Sequence, residues 1–194
     1  KYLDYRTFKN VDIAGHIHDA EAMIVLSHVK GHGACGYGGA CKNIAMGCVT
    51  YRTRRQIHNL EGGLVWDEDL CTHCELCISS CNHDANSFNK ENKYHVVYDN
   101  CTFCQHCVKV CPQGAIRMDD DRYRDFQTGM AICTEEVLKV FDPKNVSYIN
   151  FLPNITALCD CWGFTTPSLV PDIGIMYSKD IVAIERASLD SIKV

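Results

Sequence analysis

Cys71-Thr72-His73-Cys74-Glu75-Leu76-Cys77-Ile78-Ser79-Ser80-Cys81 and Cys101-Thr102-Phe103-Cys104-Gln105-His106-Cys107-Val108-Lys109-Val110-Cys111-Pro112 are one motif written twice, 30 residues apart. Each copy has the spacing C-x₂-C-x₂-C-x₃-C. Three thiolates on one tight loop can bind three irons of a cubane, and the fourth iron needs a ligand from elsewhere. In chains with two such runs, the fourth cysteine of each run serves the other cluster. The spacing therefore assigns Cys71, Cys74, Cys77 and Cys111 to one 4Fe–4S cluster. Cys101, Cys104, Cys107 and Cys81 fall to a second. The crossing ties the halves together, so this segment is expected not to fold without its clusters.

Two other uses of cysteine fit less well. Zinc prefers two separated pairs of ligands around a tetrahedron. Disulfide frameworks belong to small secreted domains that cannot build a core. Here 194 residues, 46% hydrophobic and 22% charged, suffice for a core, and eight of the 14 cysteines crowd between Cys71 and Cys111. No secretory signal opens the chain. The clustering reads as metal binding in a reducing cytoplasm. The sequence starts at Lys1 without a methionine, so its ends are expected to be trimmed. A net charge of −5 argues against a nucleic-acid binder. Nothing approaches the roughly 18 consecutive apolar residues of a membrane span.

The two runs differ at one place. The second ends Cys111-Pro112 and the first Cys81-Asn82. Proline removes an amide donor. The Asn82 N–H is expected near a cluster sulfur, where it would raise the potential. His73, His83 and His106 are expected to face solvent around a complete cysteine set.

Outward from the repeat, the chain reads as α+β: an α/β body, residues 1–63 and 119–194, interrupted by a ferredoxin-like insert carrying two 4Fe–4S clusters, residues 64–118. Gly62-Gly63 marks the entry. Ala22 to Leu26 reads as a buried strand, as do Val146 to Phe151 and Ile173 to Met176. Val11 to Glu21 has a helical cast, and Cys41 to Met46 suggests a short helix. Phe126, Met130, Cys133, Val137 and Val140 recur at helical spacing over Tyr123 to Phe141. Asp180 to Ile192 reads as a closing helix.

Between the first strand and the repeat lies a glycine-rich loop, Gly31 to Gly39. Gly31, Gly33 and Gly36 spell G-x-G-x-x-G, but Gly38 and Gly39 follow where a crossover helix should begin, and no acidic strand end follows about twenty residues on. A dinucleotide site is therefore disfavoured. Lys30, His32, Gly38, Gly39 and Lys42 remain a candidate anion or substrate pocket, which Arg52, Arg54 and Arg55 would extend. A tight turn that lets backbones pack closely explains the glycines equally well. Cys159-Asp160-Cys161 could ligate a metal with Cys35, Cys41, Cys48 or His28. The alternative makes these, with Cys133, buried structural thiols.

Several stretches resemble, in order as well as content, the iron–sulfur family known as domain of unknown function 362. They are Ser27 to His32, Gly36 to Gly47, Tyr148 to Phe151, Cys159-Asp160-Cys161, Val170 to Ile175 and Lys179 to Ala187. The resemblance implies an α/β body carrying a two-cluster module and supplies no substrate. Members of the family are usually longer, and Cys35, Cys41 and Cys48 depart from its pattern.

Two functions follow as expectations. The first is single-electron transfer between redox partner proteins through the two clusters. The second is a reductase-type enzyme whose clusters feed a site built from the glycine loop, His28, His32, Lys42, Cys159 and Cys161. No Ser–His–Asp set, Walker loop or carboxylate pair names a reaction.

Overall fold

The computed structural model describes residues 2–6, 8–60, 62–97, 100–101, 104–119, 123–159 and 165–192. Strands β1 (Tyr2–Tyr5) and β2 (Phe8–Asn10) lead to a single turn, α1 (Gly15–His18), and strand β3 (Met23–His28). Hairpin strands β4 (Lys30–His32) and β5 (Gly36–Gly38) precede helices α2 (Ala40–Gly47) and α3 (Tyr51–Asn59). Then come β6 (Leu64–Trp66), α4 (Leu76–Ser79), β7 (Asn86–Phe88), β8 (Tyr94–Val96), α5 (His106–Val110) and β9 (Ile116–Met118). Helix α6 (Tyr123–Leu138), strands β10 (Val146–Phe151) and β11 (Ile175–Ser178), and helix α7 (Ile181–Ile192) complete the order. The class is α+β, with parallel and antiparallel pairing.

The body is organised on β3 and β10, whose β-branched and aromatic residues suit a pleated, packed surface. They pair in parallel, Val25 beside Tyr148 and Ser27 beside Asn150, and β11 adds antiparallel to the far side of β10. Alternate residues point to opposite faces. Val25, Ser27, Val146, Tyr148 and Asn150 are buried on the face that α2 and α7 cover. Helix α6 packs on α2, burying Phe126, Met130, Cys133 and Val137 at the spacing of one helical stripe. The opposite face presents Ile24, Leu26, Ile175 and Tyr177, each more than half exposed.

Four expectations are corrected here. Val11 to Glu21 is helical only over Gly15–His18. The chain before that turn is held extended, Asp12 N–H donating to Thr53 Oγ1 and Ile13 bridging Val49. Tertiary anchoring outweighs weak propensity there. The glycine-rich segment is a hairpin, not an open loop. Gly36 supplies its left-handed residue at φ 69°, and a Cβ on Gly31 would collide with the Ala157 carbonyl oxygen. The third strand starts at Ile175, since the Leu152 and Ile173 amides bond Gly174 and Leu152 carbonyls at its approach. Helix α6 stops at Leu138, ahead of Asp142-Pro143, and Phe141 turns into the core from beyond its end.

Residues 64–118 repeat structurally as they do in sequence. Strand β6 pairs β9 with Leu64 opposite Met118, and β8 pairs β7 with Tyr94 opposite Phe88. Each residue of one pair lies 30 positions from its counterpart in the other. The Asp67 amide donates to the Ala115 carbonyl at 2.8 Å, and its counterpart Val97 donates to Ala85 at 2.7 Å. Glu75 and Gln105 are both left-handed (φ 58° and 63°), as are Asp84 and Gly114 (φ 49° and 63°). The unit therefore has an approximate internal twofold. Among the described residues no helix is long and apolar enough to cross a membrane.

Candidate cysteine centres and a cationic cleft

Each C-x₂-C-x₂-C run turns sharply at its second cysteine. A left-handed residue, Glu75 or Gln105, then starts the short helix that carries the third. This turn folds three cysteines around one point. The fourth arrives from the opposite half. Cys71, Cys74, Cys77 and Cys111 line one pocket, with Phe88, Pro112 and Ile116. Cys81, Cys101, Cys104 and Cys107 line another, with Leu64, Ala85, His83 and His106. None of the eight is in a disulfide. Among the described residues, no three His, Cys, Asp or Glu side chains are drawn together as ligands of a single ion.

Cys77 and Cys107 are buried and share a small core with Ile116. Burial pushes the Cys77 thiol up to about 11, with Cys107 and Cys111 adding to the rise. Burial likewise raises Cys107, against hydrogen bonds from Tyr94 and Asn86. Four thiolates in such a place need positive charge at their centre. Iron–sulfur cubanes supply it, and an all-thiolate donor set suits them. Asn86 Nδ2 donates to the Cys77 carbonyl at 3.1 Å while its Oδ1 accepts from Tyr94 at 2.7 Å. This chain of bonds locks the backbone under the third cysteine. The amide directed at Cys81 Sγ is that of Ala85, at 3.4 Å, where the sequence pointed to Asn82. The three histidines are exposed, but His83 and His106 line the second pocket and the His73 ring lies tilted against Phe88 with centroids 4.8 Å apart.

In the body, Lys30, Gly38, Gly39 and Lys42 do meet, lining a cleft of about 270 Å³ with Leu26, Ser27, His28, Asn43 and Cys159. It opens where β3 ends, the end at which open α/β sheets hold ligands. His32 is not among the lining residues. Its ring stacks on Phe126, and its Nδ1 accepts from the Ala34 and Cys35 amides at 3.1 and 3.3 Å. Strand alternation puts His32 on the face of Lys30, but these bonds at the hairpin turn hold the ring on Phe126, away from the cleft. Ser27 and Asn43 were missed although both lie in the stretches that carry the family resemblance, because a neutral hydroxyl and amide carry no anion-binding signal of their own. Arg52 and Arg54 are exposed on α3, and Arg54 holds the Met46 carbonyl instead of extending the cleft.

Burial lowers the His32 pKa to about 4, with Lys42 and His58 adding to the effect. Protonation would also break two amide bonds at Nδ1. The ring is therefore neutral in the fold. It contributes stability above its ordinary 6.5 that is lost as pH falls towards 4. Urea titrations should show about 2 kcal/mol of this loss between pH 7 and 4.5, and His32→Asn should remove most of it. An unchanged pH slope in the variant would refute the assignment.

Glu185 on α7 is a half-buried polar anchor that the sequence reading did not single out. Its Oε1 accepts from the Ala40 amide at 2.7 Å, Asn150 Nδ2 at 3.3 Å and Tyr37 Oη at 3.4 Å. A carboxylate of the protein itself thus caps the start of α2. Cys41, Cys48 and Cys133 cluster along α2 and α6, and burial raises all three thiols, Cys133 to about 12. Cys41 Sγ lies 3.3 Å from Thr134 Oγ1 and Cys133 Sγ 3.5 Å from the Ala45 carbonyl. They pack as core thiols. Cys159 is disulfide-bonded, with Lys42 Nζ 3.5 Å from its sulfur, so its sulfur is not the free thiolate that the expected metal site with Cys35, Cys41, Cys48 or His28 required. Cys161 lies outside the described residues.

A sequence profile of the DUF362 family, a domain of unknown function, matches residues 2–190. No curated protein matches the chain.

Proposed function

The chain belongs to the DUF362 family, and from that premise we propose that it transfers single electrons through two 4Fe–4S clusters in a ferredoxin-like insert, residues 64–118. The observation that carries this reading is the grouping of cysteines. Each pocket is lined by three from one run and the fourth from the other. Each cluster, when bound, cycles by one electron at low potential. The chain's own residues do the rest. Cys77 and Cys107 hold their ends of the site inside the hydrophobic core. The Ala85 amide, donating to Cys81 Sγ, stabilises the more negative state and so raises the potential. A net charge of −5 suits docking to basic patches of redox partner proteins.

Anaerobically purified protein should be brown, absorb broadly near 400 nm and contain about eight irons per chain. Dithionite should bleach it. Clusters that resist reduction would instead make them structural staples, and an iron-free folded chain would end the reading.

A second reading makes the chain a reductase or reductase subunit, with the clusters feeding a reaction in the body. The cleft at the end of β3, with two lysines, His28 and Cys159 in its wall, favours it. Catalysis with a small-molecule substrate, abolished by Lys42→Gln at unchanged iron content, would establish that version.

A further inference from the structure

We propose that the protein exchanges electrons with an outside partner at the first pocket, across an edge around Cys74 whose exposed leucines and acidic rim fit a partner with an apolar centre and a basic rim. The inference rests on the two-cluster reading and goes beyond it by giving the insert a direction: the second pocket is the one nearer the α/β body.

The order of the pockets along the β6/β9 ribbon is the first argument. The chain enters the insert at Gly62-Gly63 and leaves it at Asp119, whose amide donates to the Gly63 carbonyl at 3.2 Å. From that junction the ribbon runs outward. Leu64, opposite Met118 at the near end, lines the second pocket, and Ile116, opposite Trp66, lines the first. Two residues of strand span about 7 Å, so the second pocket sits at the junction and the first lies beyond it.

The internal twofold makes the two edges comparable residue by residue, and they differ. Of the eight cysteines only Cys74 is exposed, while its counterpart Cys104 is half-buried. Electron transfer slows steeply with distance, so the exposed sulfur marks the edge that a partner can approach. Leu70 and Leu76, next to Cys71 and Cys77, are 49% and 46% exposed. Their counterparts are Asn100 and His106. Exposed leucines beside the ligands of one pocket supply the apolar centre of a contact surface.

Charge names the partner. Glu75 lines the first pocket, and Gln105 lines the second in its place. Asp67, Glu68 and Asp69 are exposed in the turn that leads to Cys71. Glu68 is ion-paired with Lys93, and Asp69 recurs in the second run as Asp99. Glu75 and Leu76 therefore carry the difference between the edges. Negative charge around an apolar centre steers a basic partner to this edge and orients it there.

Cytochrome c, a basic one-electron acceptor, is the probe. Oxidised, cluster-loaded protein is first cross-linked to it at low salt with a zero-length carbodiimide. Mass spectrometry should then find its lysines joined to Asp69 or Glu75 in preference to Asp84, which follows His83 of the second pocket. Next, protein reduced with dithionite and freed of the excess is mixed with cytochrome c. Glu75→Gln copies the second run at a left-handed position that Gln105 already occupies. It should slow the transfer at least about threefold at low salt and match wild type near 1 M salt, where steering is screened. Leu76→His should slow it at both salts, and Asp84→Asn at neither. Cross-links that favour Asp84 or fail to form, a Glu75→Gln or Leu76→His variant that transfers like wild type, or a Glu75→Gln deficit that persists in high salt would overturn the inference. Iron content on the same samples scores the cluster reading separately: about eight per chain upholds it whatever the rates, and an iron-free folded chain ends both.

Discussion

Cys111→Ala should cost the protein the cluster held by Cys71, Cys74 and Cys77, and leave the cluster of its own run in place. Iron should fall from about eight to about four per chain. The reason is geometric. Cys111 lines the pocket of the first run, and Cys81 lines that of the second. Cys81→Ala should therefore give the mirror result. Reduced samples examined by electron paramagnetic resonance would separate the two. Cys111→Ala should leave the same residual signal as Cys74→Ala, and Cys81→Ala the same as Cys104→Ala. If Cys111→Ala instead resembled Cys104→Ala, each run would be holding its own cluster and the crossing would be wrong.

Glu185→Ala should destabilise the body by about 3 kcal/mol in urea denaturation, the largest effect expected away from the cysteines. The substitution leaves the Ala40 amide without its acceptor, takes one partner from Asn150 and Tyr37, and opens a hole between α7 and α2. Each orphaned buried donor costs about 1–3 kcal/mol. Glu185→Gln keeps an acceptor and should cost about 1 kcal/mol or less. The two variants also differ in their response to pH. Burial raises the Glu185 carboxyl above its ordinary 4.5. Its contribution is then full below 4.5 and declines as pH rises through the higher folded value. Glu185→Gln should abolish that decline. An alanine variant within about 1 kcal/mol of wild type would show that packing alone, without the carboxylate, fastens α7 to α2.

The two sites were legible in the sequence to different degrees, for physical reasons. The cysteine quartets are local. A cubane needs three sulfurs within one turn of chain, so spacing alone groups Cys71, Cys74 and Cys77, and the 30-residue repeat supplies the fourth. The strand at Val146–Phe151 and the helix at Ile181–Ile192 were legible because burial on one face writes a period into the residues. Met23–His28 was legible as an apolar run, but its reading as a buried strand is corrected by Ile24 and Leu26, exposed on the uncovered face of the sheet. The cleft is not local. Lys30, Lys42 and Cys159 meet only because β3 and β10 lie side by side in parallel and α2 folds back on them. Glu185 reaches Ala40 across 145 positions of chain, and nothing in either neighbourhood announces the other. His32 shows the limit of motif reading. It lies two residues from Lys30 on the same strand, yet its ring is held by the Ala34 and Cys35 amides and packs on Phe126.

By itself, then, the amino-acid sequence determined the cysteine frame, the class of the body and the periods of its main elements. These depend on neighbours within a few residues of one another. Only the tertiary structure decided that the glycine segment is a hairpin, that a carboxylate of the protein caps α2, and that Lys30 and Lys42 share one cleft. Each of those is a meeting of residues far apart in the chain, and packing, which no local pattern records, brings them together.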